Sequence, residues 1–368
     1  MTQPTDLLPE GLEDALPRAA ARITAAMRAC LDMLGAHGYD RVRPPLLEFE
    51  RSLASRMEGI HTNQMFRFVD PASLRTLALR SDITPQIGRI ATTSMKDAAR
   101  PLRLAYCGDT VVIKASQLDP ARERLQLGGE LIGSDTVAAA SEVVMVAIEA
   151  LQAAGLAGIS VDFTLPDLVD TIAAQDRSLD ADTIEEIRRE LDTKDAGGLK
   201  AVGGSAYLPL LYATGPFAEA MAKLRELDAG GALATRLDGL EAVAAGVGDA
   251  ARMTLDPTER YGFEYQSWFG FTLYAEGVRG AAGRGGTYRI GGTGEAATGF
   301  TLYVDRLAEV APEPEAVQTV FLPYGHDPVA AAELRGQGMR TVAQLAEDDD
   351  PHALGCTHAL RGNDLSPL

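Results

Sequence analysis

Apolar residues recur at helical spacing over residues 16–37, where Ile23, Met27, Cys30, Leu31 and Leu34 share one stripe. Gly35 and Gly38 end that stretch. The pattern then changes period. Residues 39–43 read as a strand stopped by Pro44-Pro45, and 66–70 with 74–79 as a hairpin turning at Pro71. A helix is predicted from Asp82 to about Thr92, with Asp82 or Thr84 as its cap. Residues 102–107 and 111–114 read as paired strands with Gly108-Asp109 at the turn. A strand over 124–132, a helix over 136–154 and a short strand over 160–165 follow. From about 168 to 251 alanine and leucine dominate and glycine pairs punctuate the chain, which predicts a helical insertion. Strands resume over 262–274 and 298–303, with the glycine-rich stretch 280–294 expected as a loop between them. Pro312 and Pro314 mark a linker, and the remainder reads as strand (317–322), helix (328–337), strand (340–342) and a polar tail. No internal repeat is visible.

Composition narrows the function classes. Of 368 residues, 46% are hydrophobic and 23% charged, the balance of a folded globular chain. The net charge of −18 argues against a nucleic-acid partner, because phosphate binding rests on Lys and Arg. Cys30, Cys107 and Cys356 are far apart and odd in number, which implies reduced thiols and a cytoplasmic setting. The N-terminus carries no basic stretch followed by an apolar core, so no signal peptide is expected. The most apolar run, 137–156, is broken by Ser141, Glu142, Glu149 and Gln152 and reads as a buried helix rather than a membrane span. His352, Cys356 and His358 are too loosely placed to predict a metal site, and Gly283–Gly286 lacks the Lys-Ser/Thr of a phosphate loop, so neither metal nor cofactor is expected.

Four segments, in order, carry the chemistry: Leu79-Arg80-Ser81-Asp82-Ile83-Thr84, Gln126-Leu127-Gly128-Gly129-Glu130, Gly262-Phe263-Glu264-Tyr265, and the run from Gly299 to Asp305-Arg306-Leu307. Together they resemble the core of histidyl-tRNA synthetase, a class II aminoacyl-tRNA synthetase. The resemblance implies an α+β fold. It would be a class II antiparallel sheet flanked by helices over 1–310, with the insertion at about 168–251 and a short αβ extension over 311–368 in place of an anticodon-binding domain. It implies an amino-acid pocket at Asp82, Thr84, Arg122, Gln126, Glu130, Tyr265 and Tyr288. Those residue types suit histidine: carboxylates for an ammonium, an amide and phenols for a heteroaromatic ring. Arg43-Pro44-Pro45 resembles the family's first motif, at its dimer interface.

The nucleotide side departs from the family. Val112 stands where the second motif places a phosphate-binding arginine, and Lys114 two positions on has a different reach. Ala297 and Tyr303 take glycine positions of the third motif, while Arg306 keeps its arginine. The substrate-carboxylate arginine is missing beside Gly262, since Arg260 is one residue off. The family's Gly-Gly-Arg-Tyr-Asp reads Gly285-Gly286-Thr287-Tyr288-Arg289. A kept amino-acid pocket beside a dismantled nucleotide site resembles the synthetase paralogues that serve as regulatory subunits of ATP phosphoribosyltransferase. That resemblance implies a non-catalytic protein in a hetero-octamer, four copies with four short catalytic subunits, built on homodimers, with L-histidine as candidate ligand and with neither nucleic acid nor membrane as partner. Two alternatives stay open. A divergent synthetase would exchange pyrophosphate into ATP with histidine, and a stand-alone amino-acid-binding or adenylating paralogue would bind its ligand without a partner.

Overall fold

A computed structural model describes residues 8–55, 65–113, 120–175, 179–260, 266–362 and 364–368. The chain divides into two compact units, Met1–Pro312 and Glu313–Leu368. In the first unit α1 (Pro17–Ala36) leads to β1 (Asp40–Arg41) and β2 (Leu47–Phe49), then α2 (Glu50–Ala54). There follow β3 (Arg67–Val69), β4 (Thr76–Leu79), α3 (Thr84–Thr92), β5 (Leu102–Val111), β6 (Glu123–Ile132), α4 (Val137–Ala153) and β7 (Ser160–Thr164). The insertion holds α5 (Leu168–Ala173), α6 (Ala181–Asp192), α7 (Ala196–Ala201), β8 (Gly215–Pro216), α8 (Phe217–Leu227) and α9 (Ala234–Val247). The unit closes with β9 (Arg252–Leu255), β10 (Gln266–Tyr274), β11 (Gly283–Ile290), β12 (Glu295–Tyr303) and α10 (Val304–Val310).

Nine strands form the main sheet in the order β1-β5-β6-β12-β11-β10-β7-β9-β8, antiparallel except for β1 with β5 and β7 with β9. Strand residues alternate faces, and the two faces differ in chemistry. Leu127, Leu131, Phe300, Leu302, Phe271, Leu273, Val161 and Phe163 point one way, into the core that Ala26, Cys30 and Leu34 of α1 and Val143, Val144, Ala147 and Leu151 of α4 complete. The other face carries Tyr106, Gln126, Glu130, Arg284, Tyr288 and Thr301, and it holds the site. A second sheet, β2-β4-β3, packs beside α2.

Four local expectations are corrected. Gly108-Asp109 is not a turn: β5 runs through it and pairs with β6 from Leu102↔Ile132 to Val111↔Glu123. A glycine there accommodates Arg80, whose guanidinium a Cβ on Gly108 would overlap. The glycine-rich stretch 280–294 is largely a strand, β11. Its Gly285 lies between Phe300 and Phe271 in register, and a Cβ there would meet the Phe271 ring at 2.4–2.6 Å. The glycine therefore serves ring packing, not chain reversal. The insertion also contains a two-residue strand, β8, which adds to the sheet edge. The polar tail is ordered into two strands of the second unit.

That second unit consists of β13 (Thr319–Leu322), α11 (Pro328–Gly336), β14 (Arg340–Ala343), β15 (His358–Arg361) and β16 (Asp364–Pro367). Its sheet order is β14-β13-β15-β16. Val320, Leu322, Ala331, Leu334 and Leu360 make its core, and Asp327 caps α11 through the Val329 N–H at 2.8 Å.

Candidate functional site

The polar face gathers four other candidate residues, Asp82, Thr84, Gln126 and Tyr288, around Glu130. Its carboxylate is buried on β6 between β5 and β12. Tyr288 donates to Glu130 Oε2 at 2.9 Å, and Tyr106 lies 3.4 Å from Oε1. Tyr106 also meets the Thr301 hydroxyl at 2.7 Å and Thr84 Oγ1 at 3.4 Å. Gln126, two pairs along β6, accepts the Ile83 N–H at 2.8 Å. Its amide donates to Asp82 Oδ1 at 2.7 Å and to Thr301 Oγ1 at 3.1 Å. Asp82 Oδ1 also accepts the Thr84 N–H at 3.0 Å, at the start of α3, while Oδ2 makes no hydrogen bond among the described residues. The second carboxylate oxygen is thus open to a donor such as an ammonium.

Burial sets the protonation of this cluster. Desolvation, helped by the Asp82 charge and opposed by hydrogen bonds from Tyr288, Thr84 and Tyr106, pushes the Glu130 carboxyl up to about 8. Burial and the same two carboxylates push the Tyr106 phenol well above its ordinary value. At neutral pH the site therefore presents a largely neutral acid beside Asp82. The register explains how the cluster fits: Glu130, Gly299, Gly286 and Gly270 stand in one row across β6, β12, β11 and β10. A Cβ on Gly299 would overlap the Glu130 carboxylate. The Glu130 carboxylate therefore lies directly against the bare backbone of Gly299.

The remaining candidates lie elsewhere. Arg122 is set apart from the cluster: its Nε donates to Val112 O and its Nη1 to Glu10 O, both at 3.3 Å, and its guanidinium lies 5.1 Å from the Phe66 ring. Its backbone N–H also holds Gly11 O. It anchors the N-terminal segment at the end of β6. Tyr265 and Lys114 lie outside the described residues. Arg260 is drawn to the insertion, its N–H on Asp192 Oδ1 at 3.0 Å and its guanidinium 3.7 Å from Glu185 of α6.

On the nucleotide side Val112 closes the β5–β6 ladder through its N–H to Arg122 O. Tyr303 is paired with Gln126, and the Arg306 guanidinium lies 5.1 Å from its ring while donating to Ala281 O at 3.0 Å. Arg124 pairs with Asp305 at 2.7 Å. Sequence reasoning missed Tyr106, Thr301, Arg124 and Arg284. Counting by twos from Gln126 would have placed Arg124 on its face, but Tyr106, Thr301 and Arg284 need the strand register.

The family model described as histidyl-tRNA synthetase matches residues 11–307. The ATP phosphoribosyltransferase regulatory subunit of Paramagnetospirillum magneticum is 41% identical over 96% of this chain and 96% of that protein. Its counterpart from Rhodospirillum centenum is 39% identical over 98% and 96%. Among solved structures, an ATP phosphoribosyltransferase regulatory subunit/histidyl-tRNA synthetase from Bacillus halodurans superposes with a TM-score of 0.80 at 27% identity, covering 96% of this chain and 97% of that one. Histidyl-tRNA synthetase from a Nostoc species shares the fold, with a TM-score of 0.77 at 15% identity over 96% and 90%. Near-full-length identity at this level, on a synthetase-like fold, shows that the chain belongs to the ATP phosphoribosyltransferase regulatory subunit family.

Proposed function

We propose that this chain is a non-catalytic cytoplasmic subunit that activates a short-form ATP phosphoribosyltransferase at the first step of L-histidine biosynthesis. The assembly would hold four copies of each subunit on synthetase-like homodimers. The observation that carries the reading is Tyr303: its ring, with Arg306 stacked against it, stands where a synthetase needs bare backbone for adenine. Val112 supports it, since an apolar side chain cannot stabilise charge developing on a phosphate. The net charge of −18 also disfavours tRNA as a partner.

L-histidine is the candidate effector, and the proposed pocket is Asp82, Thr84, Gln126, Glu130 and Tyr288, with Tyr265 as a further candidate and Arg122 contributing only if ligand reorganises it. The amino end has its acceptor in Asp82. The carboxylate end lacks its arginine, because Arg260 is held by Asp192 and Glu185. A missing charged hydrogen bond costs about 2 kcal/mol, so affinity should be weaker by roughly thirty-fold than in a synthetase. An effector shifts the partner's activity only by its preference for one arrangement of the assembly.

Two assays test the reading. Mixed with the short catalytic subunit from the same genome, the chain should migrate as one complex of both in sedimentation velocity. Alone, it should give no histidine-dependent exchange of pyrophosphate into ATP. Separate migration of the two proteins, or measurable exchange, contradicts the proposal.

A further inference from the structure

The insertion encloses a cavity that no strand of the main sheet lines. It measures about 220 Å³ and lies between α5, the 3-10 helix Ser205–Tyr212 and the turn from α8 to α9. The local sequence explains why the space is there. Side chains three apart eclipse in a helix of that tight kind, so Tyr207 and Leu210 share a face, and both are buried in the lining. Ile172 of α5 and the buried Leu233 extend the apolar lining. The turn, Asp228-Ala229-Gly230-Gly231-Ala232, carries nothing larger than a methyl after its aspartate, so it adds little volume to fill the space. Leu227, also in the lining, is 42% exposed, and the cavity opens to solvent there.

One charge lies in this lining. Asp228 accepts the Leu233 N–H through Oδ2 at 2.9 Å, and its Oδ1 makes no hydrogen bond among the described residues. Among those residues the lining holds no basic side chain. Gln175 reaches the same turn: a Cβ on Gly230 would lie 3.3 Å from its Oε1. A mostly apolar cavity with a few placed polar groups is the usual form of a small-molecule site. Here the polar groups are a carboxylate and an amide, which accept an ammonium, while the carboxylate repels an anion. Size sets the rest. An engineered apolar cavity of about 150 Å³ holds benzene; the larger volume here admits a ring with a short amine arm.

We propose that this cavity binds a small primary amine carrying an aromatic or branched apolar group, its apolar part against Tyr207, Leu210 and Leu233 and its ammonium on Asp228. The cavity shares no lining residue with the Glu130 cluster, so it is a second ligand site, on the insertion rather than on the sheet. An occupant that binds only the folded insertion also stabilises the elements around it. Neither effect depends on whether the chain adenylates or whether histidine binds beside Glu130.

The test is ligand-observed NMR titration of the intact chain with phenethylamine. Phenethyl alcohol and hydrocinnamate are titrated in parallel; they keep the ring and replace the ammonium by a neutral and an anionic group. Saturable binding of phenethylamine is expected, tighter than either analogue by roughly fivefold or more. Asp228→Asn keeps an acceptor for the Leu233 N–H and removes the charge, so it should abolish that preference. Ala206→Phe, a larger side chain in the lining, should remove binding of all three. Asp82→Asn should leave phenethylamine binding unchanged, which separates this site from the Glu130 cluster. Should Ala206→Phe fail to fold, Asp228→Asn decides the matter. No saturable binding, equal affinity for the three probes, or a loss in Asp82→Asn with none in Asp228→Asn overturns the proposal.

Discussion

Glu130 keeps its proton because the sheet buries it among hydroxyls that solvate it poorly, and that has a measurable sign. In the folded chain its carboxyl ionises at about 8, whereas an unfolded glutamate does so near about 4.3. Between those values the folded state binds more protons, so this residue's contribution to stability falls as pH rises through that window. Glu130→Gln stays neutral. Relative to the parent, its melting temperature should therefore rise between pH 6 and pH 9; a constant difference across that range would show that Glu130 is not held protonated. Gly299→Ala tests the packing beside it. The added methyl overlaps the carboxylate, and forced overpacking costs about 1–3 kcal/mol, so the urea midpoint should drop; an unchanged midpoint would refute the close approach. At this scale the sequence was informative where chemistry is local. Asp82, Thr84, Gln126, Glu130 and Tyr288, grouped only by the family resemblance, lie in one cluster. Arg122 does not, because its neighbours are Glu10 and Gly11, more than a hundred residues away along the chain.

At the level of elements, Arg80 joins what the sequence left separate. Buried at 5% exposure, it donates from Nε to Asp109 O at 2.7 Å and from Nη1 to Pro44 O at 3.1 Å. Gln86 of α3 extends the same knot to Pro45 O at 2.7 Å and Glu48 Oε1 at 3.1 Å. The end of β4, α3, β5 and the Pro44-Pro45 turn are thereby fixed to one another. Arg80→Met fills the volume but leaves several buried acceptors unpaired. It should cost about 3 kcal/mol, read as a lower denaturation midpoint; a loss below about 0.5 kcal/mol would mean the knot is not structural. Helices are legible from cap signals and apolar content: the expected spans 82–92 and 136–154 lie within two residues of the observed Thr84–Thr92 and Val137–Ala153. The strands with glycine are not. β11 reads as a loop because Gly285 and Gly286 carry no side-chain pattern, and only the Phe271 and Phe300 rings on neighbouring strands reveal why they are there.

For the whole molecule, the two faces of one sheet divide the labour. Helices bury the apolar face, which frees the other to hold titratable groups in register without competing for the core. Family membership was legible because four short segments keep their order over most of the first unit. The ordered strands of the tail were not, since His358–Arg361 and Asp364–Pro367 are too short and polar to show alternation. Among the described residues no helix is long and apolar enough to cross a membrane. The central claim concerns what the molecule does to its partner. Its most direct test is the rate of phosphoribosyl-ATP formation by the short catalytic subunit from the same genome, with and without this chain, across a histidine titration. The account predicts a rate raised at least tenfold by the chain, and suppression by histidine that Asp82→Asn shifts to higher concentration. A rate indifferent to the chain at saturating amounts would contradict it.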